Sequence, residues 1–229
     1  MPTDIYFISN VVNWIINLVA FIIAVCYCYR SLNPSYLRIF PLYLFVSIAV
    51  ELLVNSYLRI FGIQPFGSRQ DYARTAIYNL YTPFELFAFA WFLFRIIQSP
   101  QIKRLLIASL MLFCLFFIIY SLQTDIGKTL NVIAIVLESL IIIIPCLTWY
   151  RELFTRNEPV NLLKEPSFWL VTGIFFYLAT IIPFYVTSFY LNSHGLLGVA
   201  KSLSSINNFS LVITYMLFIK GFTCRIRRS

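Results

Sequence analysis

Charge is what this 229-residue chain has least of: Asp, Glu, Lys and Arg supply 11% of it, against 60% hydrophobic residues. A water-soluble domain carries about 25% charged residues, so most of this surface is not made to face water. Histidine occurs once, as His194 in a polar stretch. That excludes both the multi-ligand zinc site of a membrane hydrolase and the Ser–His pairing of a serine protease. The cysteines Cys26, Cys28, Cys114, Cys146 and Cys224 form no CxxC pair, so neither a disulfide framework nor a zinc site is expected. Lys201 and Lys220 only bracket the last apolar run, and a Schiff-base lysine at its middle is missing. The formal net charge is +8, yet no basic stripe or stacking platform accompanies it, and nucleic acid is not an expected partner. These absences set those classes aside, and the chain is expected to be no enzyme and to need no cofactor.

What the chain does have is length without charge. Seven windows stand out: Ile5–Tyr29, Ile39–Leu58, Thr75–Phe94, Leu105–Thr124, Thr129–Tyr150, Pro166–Ser193 and Ser202–Ile219. Each is close to or above the ~20 residues that cross the hydrocarbon core as a helix. A membrane β-barrel would alternate in segments of ~10 residues, and these runs are apolar on all sides. The start, Met1-Pro2-Thr3-Asp4, has no positive n-region and no cleavage site, so the first run reads as a retained helix. The connections are too short for a further domain. The expected fold is therefore all-α, a polytopic membrane protein with seven transmembrane helices in a single domain spanning residues 1–229. Its first partner is the lipid bilayer. Seven spans also fit a three-plus-one-plus-three plan of parallel repeats.

Basic residues set the orientation. Arg30, Arg38, Arg95, Lys103, Arg104, Arg151, Arg156, Lys164, Lys220, Arg225, Arg227 and Arg228 gather at one set of window ends. The other set holds only Arg59, Arg69, Arg74, Lys128 and Lys201. The positive-inside rule puts the richer set in the cytoplasm, so the N-terminus lies outside and the C-terminus inside.

Three acids interrupt the apolar windows: Glu51, Glu85 and Glu138. A carboxylate at a span centre costs roughly 2.5–3.5 kcal/mol on insertion scales, and such a residue is functional by default. All three fall near mid-span, with no Lys or Arg at that depth. Asn17, Asn207 and Asn208 reach the same layer, while Asn55 shares a helical face with Glu51, and Tyr78 and Tyr81 with Glu85. These nine residues are the candidate site for a ligand or ion. Burial disfavours the charged form of a carboxyl, so at least one of the acids is expected to be protonated near neutral pH. A divalent ion held by the three carboxylates is also chemically reasonable. Pro83, Pro145 and Pro183 lie inside spans and free a carbonyl each.

At Ile77–Leu86 (IYNLYTPFEL), Glu165–Tyr177 (EPSFWLVTGIFFY) and Ile206–Tyr215 (INNFSLVITY) the chain resembles a loose group of small bacterial seven-helix membrane proteins of the Bacteroidota type. These are often encoded beside sensor histidine kinases. The resemblance implies a plasma (bacterial inner) membrane location and a lean toward signalling, and it transfers no catalytic residues. Asn79, Asn207 and Asn208 also match the Asn residues that SWEET- and PnuC-type porters carry in spans 3 and 7, although no defining motif of either is present. The expected function is a sensor or interaction subunit of a membrane signalling system, passing a signal to a cytoplasmic partner such as a sensor kinase. The alternative is a small transporter or conduit for protons, cations or a small cationic solute.

The orientation is tested with cysteines placed in a cysteine-free background. We expect Ser68→Cys to react with a membrane-impermeant thiol reagent on intact cells, and Asn157→Cys to react only after lysis. The reverse pattern would invert the assignment.

Overall fold

In lipid a helix satisfies its own backbone polar groups without outside partners, so runs apolar on every side have one local solution. The computed structural model describes the backbone of residues 2–29, 35–60, 69–127, 130–155, 161–194 and 197–224. Side chains are described for residues 8–29, 35–54, 74–127, 130–155, 161–191, 194, 203 and 206–224. Seven long helices result: α1 (Pro2–Cys28), α2 (Ile39–Ile60), α3 (Arg69–Ile96), α4 (Pro100–Gln123), α5 (Val132–Phe154), α6 (Pro166–Ser193) and α7 (Leu197–Thr223). A short 3₁₀ turn precedes α2 (Ser35–Arg38), and another precedes α6 (Leu162–Lys164). Helices α3, α5 and α6 continue through Pro83, Pro145 and Pro183.

Among the described residues, five stretches are long and apolar enough to cross a membrane: Ile8–Cys28, Ser35–Val54, Pro100–Gln123, Val132–Phe154 and Pro166–Leu191. This is a helical membrane protein. Helices α3 and α7 match the others in length but are more polar, α3 through Asp71, Arg74, Asn79 and Glu85, and α7 through Lys201, Asn207 and Asn208. Their neighbours take up that polarity. Asn79, Glu85, Asn208, Ser210 and Thr214 are all buried.

The helices close into a ring in the order α1, α2, α3, α5, α6, α7 and back to α1, while α4 packs outside the ring on α3 and α5. Helix α4 buries only Leu106 and Phe113 and exposes Met111, Leu112, Leu115 and Ile118, an apolar face suited to lipid. Hydrogen bonds show which ends meet. Asn208, partway along α7, reaches Asn10 of α1, and Tyr36, in the turn ahead of α2, reaches Ser167 at the start of α6. Glu152, near the end of α5, accepts from the backbone N–H of Gln98 and of Ser99 at 2.9 Å each, just ahead of α4. An acid there complements the positive N-terminal end of the α4 dipole.

The chain is laid out twice. Helix α1, a 3₁₀ turn, α2 and α3 are followed, after α4, by α5, a 3₁₀ turn, α6 and α7. Ile39 and Pro166, which open α2 and α6, stand about 127 residues apart, as do Ile96 and Thr223, which close α3 and α7. The ring is therefore two three-helix halves joined at two seams, α3 against α5 and α7 against α1.

Glycines let α6 and α7 approach closely. A Cβ on Gly173 would stand 2.7 Å from Phe218 Cε1, and one on Gly221 would stand 3.2 Å from the Pro166 carbonyl oxygen. Phe218 is fully buried against Phe40, at 5.3 Å between ring centroids, and has nowhere to retreat. We expect Gly173→Ala to destabilise the bundle by about 1–3 kcal/mol through overpacking, seen as a lower unfolding midpoint in detergent. An unchanged midpoint would mean α6 and α7 are not in this contact.

Candidate functional site: a buried acid pair at a helix seam

Helix α3 turns Glu85 inward, two residues after Pro83, and leaves it only 6% exposed. Its Oε1 accepts a hydrogen bond from the Tyr43 hydroxyl of α2 at 2.8 Å. Across the first seam α5 presents Glu138, 3% exposed, within electrostatic reach of Glu85. Glu138 Oε1 is buried and has no hydrogen-bond partner among the described residues. The basic residues of α3 that have described side chains, Arg74 and Arg95, stand toward its two ends. A charge on either carboxyl therefore acts on the other.

Tyrosines surround the pair. The hydroxyls of Tyr43 (α2), Tyr81 (α3), Tyr177 and Tyr185 (α6) and Tyr215 (α7) all lie within electrostatic reach of Glu85. Tyr177 and Tyr185 reach Glu138 as well. A phenol both donates and accepts, so this shell can serve a carboxylate or a carboxylic acid without rearranging. The arrangement can hold, exchange or pass on a proton.

The structure divides the nine candidate residues. Glu85, Glu138 and Tyr81 come together. Tyr78 is half-buried one turn away, near Tyr185, with the Arg74 guanidinium over its ring at 5.8 Å. Glu51 is half-buried on α2 within electrostatic reach of Tyr215, at the other seam. Asn17 is fully buried there too, and its Nδ2 donates to Ser47 Oγ at 3.3 Å. Asn208 donates to Ser9 Oγ at 3.1 Å and to Asn10 Oδ1 at 2.7 Å, tying α7 to α1. Asn207 beside it is half-buried. The Asn55 side chain lies outside the described residues. Among the described residues no three His, Cys, Asp or Glu gather as a metal site would require. The three glutamates are accordingly not brought together around one divalent ion: Glu85 and Glu138 lie at the first seam and Glu51 lies apart from them.

Tyr43, Tyr177, Tyr185 and Tyr215 were absent from the sequence-derived set. A tyrosine in an apolar run reads first as part of the interfacial belt. The signal that could have found them was depth, because a phenol far from either span end needs a partner inside the protein.

Asn79 has a structural role. Its Nδ2 donates to the Ile126 carbonyl at 2.7 Å and its Oδ1 accepts from Asn131 N–H at 2.9 Å, while Asn131 Oδ1 caps α5 by accepting from Ala134 N–H. This clasp fixes the α4–α5 connection, and with it the position of Glu138 two turns along α5. We expect Asn79→Ala to cost roughly 1–3 kcal/mol by stranding a buried backbone donor, measured as a lower unfolding midpoint than the parent. Equal stability would show the clasp is not made.

The chain matches no protein-family model, no curated protein and no solved structure.

Proposed function

We propose that this chain is a proton-responsive sensor or interaction subunit of a membrane signalling system, spanning the plasma (bacterial inner) membrane seven times with its C-terminus in the cytoplasm. Helices α3 and α7 count as spans because the ring buries Asn79, Glu85, Asn208, Ser210 and Thr214. The observation that carries this reading is a packed aromatic column that begins at the acid pair. Tyr43, bonded to Glu85, packs on Phe89 at 4.8 Å and Phe218 at 6.5 Å between ring centroids. Phe40, one turn on, meets Phe92 at 5.0 Å, Phe218 at 5.3 Å and Phe222 at 5.6 Å. Tyr36 closes the column, 5.9 Å from Phe92, with its hydroxyl 2.8 Å from Ser167 Oγ. That end carries Arg38 and Lys220, two of the basic residues assigned to the cytoplasm.

Close-packed interiors respond to a local change by switching between arrangements and not by yielding gradually. A proton gained or lost at Glu85 alters the Tyr43 hydrogen bond, and the column carries the change to the starts of α2 and α6. A cytoplasmic partner such as a sensor kinase would read it there. The resemblance to bacterial proteins encoded beside such kinases supports the same reading.

A second reading, transport of protons, cations or a small cationic solute, is favoured by the duplicated layout. Glu85 and Glu138 meet where the two halves adjoin, and parallel-repeat porters place their sites at the repeat interface near mid-membrane.

Hydrogen exchange in lipid nanodiscs, compared between acidic and mildly alkaline buffer, tests the sensing role. We expect the segment from Tyr36 to Leu44 to change protection with pH in the wild type, and to lose that response in Tyr43→Phe and Glu85→Gln. A wild-type column indifferent to pH overturns the sensor. Proton flux into liposomes that disappears in Glu85→Gln would establish transport instead.

A further inference from the structure

The second seam, where α1 meets α7 and α2, contains polar atoms that the acid pair does not use. Asn13 and Asn17 lie four residues apart on one face of α1, 5% and 0% exposed. Both have an Oδ1 that is buried and without a hydrogen-bond partner. Asn17 holds Ser47 of α2 at 3.3 Å, and Ser47 Oγ lies 3.5 Å from the Tyr215 hydroxyl of α7. Helices α1 and α2 run in opposite directions, so one turn from the Asn17–Ser47 contact brings Asn13 on α1 level with Glu51 on α2. Glu51 is within electrostatic reach of Tyr215. The Asn208–Asn10 bond fixes the α7 register independently. Seven residues further along each helix stand Tyr215 and Asn17.

We propose that this seam binds a single dehydrated monovalent metal cation, with Asn13 Oδ1, Asn17 Oδ1, Ser47 Oγ, the Tyr215 hydroxyl and the Glu51 carboxylate as oxygen donors. A buried carbonyl left unpaired costs about 1–3 kcal/mol, and two on adjacent turns of one helix face double that cost. Rotating the Asn17 amide would exchange an orphaned oxygen for an orphaned NH₂, so the deficit persists in either orientation. An ion ligated by both carbonyls removes it. The charge balance selects the valence: four neutral oxygens and one carboxylate neutralise one positive charge. A divalent ion would leave a net charge in a low-dielectric seam. Carbonyl and hydroxyl oxygens replacing a hydration shell are the chemistry by which membrane proteins hold Na⁺ and K⁺. The two seams then bind different things, a proton between α3 and α5 and a metal cation between α1, α2 and α7. This inference does not rest on the sensing role.

The experiment follows the unfolding midpoint of the purified full chain in detergent, in NaCl, KCl or N-methyl-D-glucamine chloride at equal ionic strength. We expect Na⁺ or K⁺ to raise the midpoint saturably above the organic cation. Glu51→Gln and the double variant Asn13→Ala/Asn17→Ala should lose that response, Glu51→Asp should retain it in weakened form, and Ser109→Ala, on α4, should keep it in full. Equilibrium binding of thallous ion to the wild type, competed by Na⁺ or K⁺ and not by the organic cation, should approach one ion per chain. Because it uses the unaltered chain, this measurement decides the matter even where a variant fails to fold. A midpoint that does not distinguish the salts, a response surviving intact in Glu51→Gln, or no competable thallous binding would each overturn the site and leave the seam to water alone.

Discussion

A carboxyl group in the middle of a lipid-embedded bundle has to be met by other side chains, because hydrocarbon offers neither charge nor hydrogen bond. Much of this architecture follows from that demand. Glu85 is met by Tyr43 and a shell of phenols, and Glu138 lies within electrostatic reach of it across the seam. To bring α5 beside α3 the chain must place the intervening α4 outside the ring, where it buries little and faces lipid. The Asn79 clasp holds the α4–α5 connection in that detour. A helix that buries little and a connection tied down by Asn79 thus have a common cause.

The doubled layout accounts for a second feature. Two halves of like order, joined at two seams, give two places where inward-facing polar residues from both halves gather. The halves differ in what they present. The α3–α5 seam carries two acids and is served by hydroxyl donors. The seam at α1, α2 and α7 carries one acid and several amide and hydroxyl oxygens. Between the seams, the Phe40, Phe89, Phe92, Phe218 and Phe222 cluster fills the end of the bundle toward Tyr36. Gly173 and Gly221 keep α6 close enough to α7 for those rings to touch their neighbours.

Much of this was legible in the sequence, for reasons that also mark where legibility stopped. Charge-free runs of span length showed the helices, and the polar residues of α3 and α7 lowered their hydropathy without shortening them. An expected depth was readable, since 1.5 Å per residue puts Glu51, Glu85 and Glu138 near the middles of their windows. Azimuth was not. Which acids face each other depends on the order of helices around the ring, and nothing in the spacing of Glu51 shows that α2 turns it toward the α1–α7 side. Tyr43 and Tyr177 were missed because an aromatic residue in an apolar run has an interfacial explanation at hand. Asn79 was noticed through analogy with porters, whereas its contacts are those of a loop clasp.

Infrared spectroscopy of the carboxyl C=O stretch tests most directly whether the two acids meet. The Glu85 band is identified by its loss in Glu85→Gln, then followed against pH in the wild type and in Glu138→Gln. A shared site predicts that removing the Glu138 carboxyl displaces the pH dependence of the Glu85 band. A Glu85 band with the same pH dependence in both proteins would show that the acids do not share a site, contradicting the account at its centre.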